Sequence, residues 1–335
     1  MAVRPRVIRA VVIAALAGAL GCGDDDATTG PLDAGTRDAG GAASDAGEVA
    51  ADAHTATDAG GAAGSDAGTD PDAPGPRVTT FTDSPPITAT TGQVISGARI
   101  ASTAGPCITI DVPGVVVRDS DIGPCGGEAN VEISAGGTDA LVEHCLVHDG
   151  NRGVLAQNTS GVVVRASRFD TFAGPAPLGT AIEYDYLASG TIERNEVRGA
   201  AYASDAVSVF ESSFVRIVGN DIDVDVAEAS AAAFTLGDAL PGHEPGHDNY
   251  ATRNVVHQLG GVPPGVFGST GNTVLERNCL TSGVQAYAYN DNPFVGVAVR
   301  LNVIDLGASF VRDPAAVAGW DTNVDGTDCT LVPGP

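Results

Sequence analysis

The chain has 335 residues, a net charge of −25 at pH 7 and 17 basic side chains, every one of them arginine. That balance excludes nucleic acid and anionic membrane surfaces as partners, because both call for basic patches. Aromatic residues make up only 5%, so a folded part must bury Val, Ile and Ala in thin layers. The length allows one or two domains, and shifts in composition mark one folded domain behind a tail.

Residues 1–21 carry Arg4, Arg6 and Arg9 ahead of a short apolar run, 10–20. The run is too short to cross a bilayer as a helix and has the form of a secretory signal peptide. It ends Ala19-Leu20-Gly21-Cys22, which resembles a bacterial lipobox, although Leu stands two residues before the Cys rather than three. The resemblance implies a lipid on Cys22. The chain is then a lipoprotein of the cell envelope, at the outer membrane or cell surface, held to a membrane through its N-terminal lipid.

Residues 22–76 read as a disordered tether. Asp-Ala-Gly recurs at Asp33, Asp38, Asp45, Asp58 and Asp66, and twelve acidic residues fall between Asp24 and Asp72. No Phe, Tyr or Trp is present, so the segment cannot bury enough surface to offset its ordering entropy. Like charges extend it. A solvated spacer accounts for this composition better than an acidic calcium-binding repeat does.

The folded domain is 77–335, with 30 acidic against 13 Arg residues and a net charge of −17. One pattern recurs through it: apolar-x-apolar-x-x-polar-x-apolar. Its polar position is Ser120, Cys145, Ser167, Asn195, Asn220, Asn254, Asn278 and Asn302. Three residues earlier stand Val117, Val142, Val164, Ile192, Ile217, Ala251, Leu275 and Val299. Two residues later stand Ile122, Val147, Phe169, Val197, Ile222, Val256, Leu280 and Ile304. The steps run from 22 to 28 residues, with one of 34, and repeats of that length stack as solenoids. Alternation on both sides of the polar residue is strand periodicity, and the phase break before it is a sharp bend. A third alternating run precedes each copy, at 107–110, 130–133, 153–156, 181–184, 206–209 and 285–289.

Three short strands per turn resemble the right-handed parallel β-helix of the pectate-lyase-like superfold. The expected fold is all-β: a right-handed parallel β-helix of about nine coils over residues 94–307. Residues 77–93 cover the first coil and 308–335 cap the last. Asn195, Asn220, Asn254, Asn278 and Asn302 form a ladder. Asn tolerates the left-handed conformation of a tight bend, and stacked amides bond along the axis. Arg118, Glu143, Arg165 and Glu193 alternate in sign on the outside, which supports the same register. An antiparallel sandwich would show hairpin turns and no polar ladder.

Six cysteines suit an oxidising compartment. With Cys22 lipidated, Cys107 and Cys125 are candidates for one disulfide, Cys279 and Cys329 for another, and Cys145 for a buried thiol. Spacing alone does not determine the connectivity.

The catalytic members of this superfold carry their sites on the outer face of the first strand and in the loops before it. The resemblance therefore points to Glu132, Glu183 and Ser208 on that face, with His148, Asp149, Arg152, Asp170, Asp185, Asp205 and Glu211 around it. Glu132, Glu183 and Asp205 are the candidate catalytic carboxylates for glycosidic cleavage. Pectate- and alginate-lyase-like sites use a basic proton acceptor, often with calcium, and polygalacturonase-like sites carry Gly-His-Gly and Arg-x-Lys. The sequence has no Gly-His-Gly and no lysine. His243, Glu244, His247 and Asp248 could offer zinc ligands, but Pro245 and Gly246 prevent the helix that would align them. Asp321, Asn323, Asp325 and Asp328 match the start of a calcium loop, or an Asx-rich closing turn. No cofactor is required, and structural calcium is the one ion expected.

The expected function is that of a surface-displayed, non-catalytic scaffold or adhesin binding neutral glycans or another surface protein. The alternative is a polysaccharide-active hydrolase or lyase using the loop carboxylates. Glu183, Asp205 and Tyr186 around one cleft would favour the enzyme.

Overall fold

A computed structural model describes residues 73–172, 179–288 and 293–332. The expected signal peptide, Cys22 and nearly all of the expected tether lie outside them. Three parallel sheets run the length of the domain. Sheet I holds ten strands, from Ile87–Thr88 to Phe310–Val311. Sheet II holds nine, from Val94–Ser96 to Val297–Arg300. Sheet III holds eleven, from Thr82–Ser84 to Val324–Asp325. The chain visits I, II and III in turn, so strands adjacent in a sheet belong to successive coils.

The core follows from the columns. Val117, Val142, Val164, Ile192, Ile217, Ala251, Leu275 and Val299 are all fully buried and stack in register on sheet II. One coil has only one layer of neighbours, so these side chains are buried only when coils stack. Phe169, Phe172 and Tyr202 widen the core in the middle coils, with ring centroids 6.4 and 6.5 Å apart.

The bend between sheets II and III differs from expectation in one respect. The left-handed residue is the one before the ladder residue: Asp119, His144, Ala166, Arg194, Arg253, Arg277 and Leu301, with φ between 46° and 57°. Gly97 and Gly219 occupy the same column at φ 65°. The Asn residues are there for their amides rather than for their backbone tolerance. Asn220, Asn254, Asn278 and Asn302 each accept at Oδ1 from both the backbone N–H and the Nδ2 of the Asn one coil earlier, at 2.8–3.0 Å, and Asn195 Oδ1 accepts from the Ser167 amide. Each Nδ2 also donates to a sheet II carbonyl of the preceding coil, as Asn220 does to Ile192 at 3.0 Å. Each ladder amide is thereby hydrogen-bonded at both its oxygen and its nitrogen, which offsets the cost of burying it.

Both ends depart from simple covers. Thr82–Ser84 and Ile87–Thr88 pair with the next coil, so strand pairing begins before residue 94. At the far end Phe310–Val311 and Val324–Asp325 extend sheets I and III. Ahead of the first coil a strap crosses the II/III bend. The Gly75 amide donates to Ala166 O at 2.9 Å, and Arg77 grips the Asp119 carboxylate at 2.7 and 2.9 Å. Burial works to raise the Asp119 pKa, but Arg77 overcomes it and holds the carboxyl below its usual range. Cys107–Cys125 and Cys279–Cys329 are disulfide-bonded. Cys145 is a buried free thiol whose pKa burial pushes up to about 12.

Candidate functional site on sheet I

The outward column of sheet I runs Thr109, Glu132, Leu155, Glu183, Ser208, Thr235, Gly265, Gln285 and Phe310. Glu132 and Glu183 therefore share a face, with Leu155 between them. Their environments differ. Glu132 accepts from the Ala129 amide at 3.3 Å. Glu183, expected on an open surface, is only 2% exposed and is ion-paired with the buried Arg152. Arg152, expected in a loop, opens the strand Arg152–Gln157 and also reaches Glu128 at 3.1 Å. A carboxylate buried against a guanidinium is part of the wall rather than of a cleft.

Asp205 stands on the next coil, three residues before Ser208. Its Oδ1 accepts from the Ala232 amide at 2.7 Å and its Oδ2 from the Thr235 hydroxyl at 3.0 Å. Burial raises its pKa to about 7, and the nearby charges of Asp238 and Glu183 add to the rise. Asp205 thus latches the loop before Phe234–Asp238 onto sheet I. Gln157 donates to Asp185 at 3.1 Å on the same face. Tyr186 packs edge-on against Phe210 at 5.8 Å, whereas Tyr184 points into the core.

The remaining candidates are dispersed. His148 bridges Asp121 at 2.9 Å and Asp149 at 2.8 Å from sheet III, and Asp170 pairs with Arg168. His243 bonds Glu211 at 3.0 Å, and His247 bonds Asp248. The two histidines, both within the 34-residue step between Asn220 and Asn254, thus have separate partners. Asn323 is the last rung of the ladder, accepting from Asn302 N and Nδ2. Asp325 accepts from the Leu306 amide, and Asp328 caps a short helix through the Thr330 amide. Asp321 lies in the short helix Trp320–Thr322. Among the described residues no three His, Cys, Asp or Glu gather to hold a metal ion. No helix among them is long and apolar enough to cross a membrane.

Sequence reasoning places Tyr287 near the outer face of sheet I but misses the rings it meets at the end of that sheet, Phe267 and Phe310. Phe267 and Tyr287 each directly follow a sheet I strand, and with Phe310 of the next strand they touch edge to face in sequence at 5.5 and 5.3 Å. Phe310 is 53% exposed. Beside them is a cleft of about 450 Å³ lined by Ala286, Tyr287, Ala288, Phe294, Arg312 and Asp313. Phe310 falls within the expected cap, beyond the last recurrence of the sequence pattern, so periodicity gave it no weight. Tyr289 lies outside the described residues.

Residues 87–237 match a family model described as a right handed beta helix region. The domain is a right-handed parallel β-helix. No curated protein and no solved structure matches the chain. The β-helix alone does not name a reaction, because function lies in sites placed upon a fold.

Proposed function

We propose that this β-helix is a non-catalytic, envelope-anchored scaffold or adhesin that binds glycans. The observation that carries this reading is the state of Glu183. It is buried and ion-paired with Arg152, so the best-placed carboxylate of sheet I has no open side for a substrate. Glu132 and Asp205 also accept hydrogen bonds, from the Ala129 and Ala232 amides. Lipid attachment at Cys22 and a charged spacer over residues 22–76 would hold such a domain clear of a membrane. The strap enters the β-helix at the II/III bend, the corner opposite sheet I, which suits display of that sheet.

One observation favours a second reading, a polysaccharide hydrolase or lyase. Asp205 keeps its proton up to about pH 7 beside Glu183, and a general acid near neutrality is what glycosidic cleavage needs. The full chain is incubated with dextran, galactomannan, xyloglucan and polygalacturonate, and polymer length is followed over a day. Retention on a polymer without shortening is expected. Shortening that Asp205→Asn abolishes would transfer the function to the enzyme.

A further inference from the structure

We infer that the cleft at the end of sheet I is a subsite for one pyranose ring of a neutral polysaccharide. This inference rests on the glycan-binding reading above and gives it a place and a ligand class. The cleft follows the stacking of coils. Tyr287 N donates to Val266 O and Arg312 N to Ala286 O, so Phe267, Tyr287 and Arg312 directly follow successive strands. Phe310, two residues before Arg312 and in register with Gln285, projects its ring beside them. Phe294 adds a half-buried ring to the lining.

A surface-exposed large aromatic ring in a chain with only 5% aromatics calls for an account. Tyr287 and Phe310, in edge-to-face contact, form an apolar patch on the outside of a sheet whose central strands are covered, and Phe294, packed in part on the core, lines the cleft beside them. Such a patch takes a ligand with a flat C–H face, and a pyranose has one. The polar groups at the rim decide the charge. Arg312 makes no ion pair among the described residues, and Asp313 uses Oδ1 to cap Ala315 N at 3.1 Å. The two charges cancel, leaving donors and one carboxylate oxygen to meet hydroxyls, the few placed polar groups typical of a small-molecule site. The surrounding domain carries −17 by sequence, which opposes a uronic-acid polymer. A volume of about 450 Å³ holds one or two rings rather than a long segment.

The test is affinity electrophoresis of the full chain through gels containing dextran, galactomannan, xyloglucan or polygalacturonate. Retardation by at least one neutral polymer is expected. Phe310→Ala should weaken that retardation about tenfold, the loss of one stacked ring, and Arg312→Ala should weaken it as well. Phe214→Ala, which removes an exposed ring packed on His247 instead, should leave it unchanged. Phe310 is exposed, so its loss should not unfold the coil, and an unchanged melting curve checks this. If wild type and Phe310→Ala are retarded equally by a neutral polymer, the subsite is wrong while glycan binding stands. If wild type is retarded by polygalacturonate alone, the neutral-ligand assignment falls. If no polymer retards wild type, both readings fall.

Discussion

Asn220 and Asn254 are 34 residues apart, yet they make the same two hydrogen bonds as rungs 24 apart. Asn220 N and Nδ2 both donate to Asn254 Oδ1, at 3.0 and 2.9 Å. Asn254 and Asn278 repeat the arrangement at 3.0 and 2.8 Å. The extra residues of that step therefore leave the ladder undisturbed, although the register on sheet I shifts between Val209 and Phe210. The ladder holds register because each amide is buried, and a slip would leave several polar groups unpaired at once.

That coupling makes Asn220→Leu costly. It strips the acceptor from Asn195 N and Nδ2 and the donor from Ile192 O. Three buried hydrogen bonds lost, at about 1 kcal/mol each, give about 3 kcal/mol. A fall of roughly 6–12 °C in melting temperature is expected by circular dichroism. An unchanged melt would show that the ladder does not hold the coils.

The bend offers a cleaner backbone test. A Cβ at Gly219 would meet only Arg194 Cγ, at 3.8 Å, so space is not limiting. With φ at 65°, Gly219→Ala should cost about 1 kcal/mol through conformation alone. Ala166→Gly, in the same column at φ 46°, should be neutral or stabilising. Chemical denaturation of the two variants side by side would read the opposed signs.

Arg152 and Glu183 form a buried pair that also fixes the sheet I wall. Arg152→Ala leaves a carboxylate buried beside no guanidinium and should cost about 3–5 kcal/mol. The double variant Arg152→Met with Glu183→Leu should recover most of that loss. A double-mutant cycle from urea melts measures the coupling, and additive losses would rule out the pairing.

Asp205 gives the domain a pH dependence. Its folded pKa of about 7 lies above the ordinary carboxylate value of 3.8. Between about pH 4 and 7 the unfolded chain therefore binds fewer protons than the folded one, and stability falls as pH rises through that window. Above pH 7 both states are ionised and the loss is complete. Asp205→Asn should flatten melting temperature between pH 5 and 8 and raise it at the upper end. A slope that persists in the variant would assign the titration elsewhere.

The sequence by itself determined the coil. Core columns, the bend and the ladder are local patterns repeated at a fixed step, and a solenoid turns local pattern directly into contact with the neighbouring coil. The alternating charges of Glu143 and Arg165 meet at 2.7 Å for that reason. What one coil's pattern does not contain, only the tertiary structure decided. Glu183 reads as an outward residue from its strand and is buried because Arg152, 31 residues earlier, lies on it. The left-handed position falls to Asp119, His144 or Arg277 rather than to Asn because the amide must point along the axis, which extended backbone allows. The cleft beside Phe310, lined by Tyr287 and Arg312, arises where the last strands of sheet I meet the closing segment, where the repeated sequence pattern ends. Stacking is local in the repeat and therefore written in it, whereas coverage depends on loops from other coils.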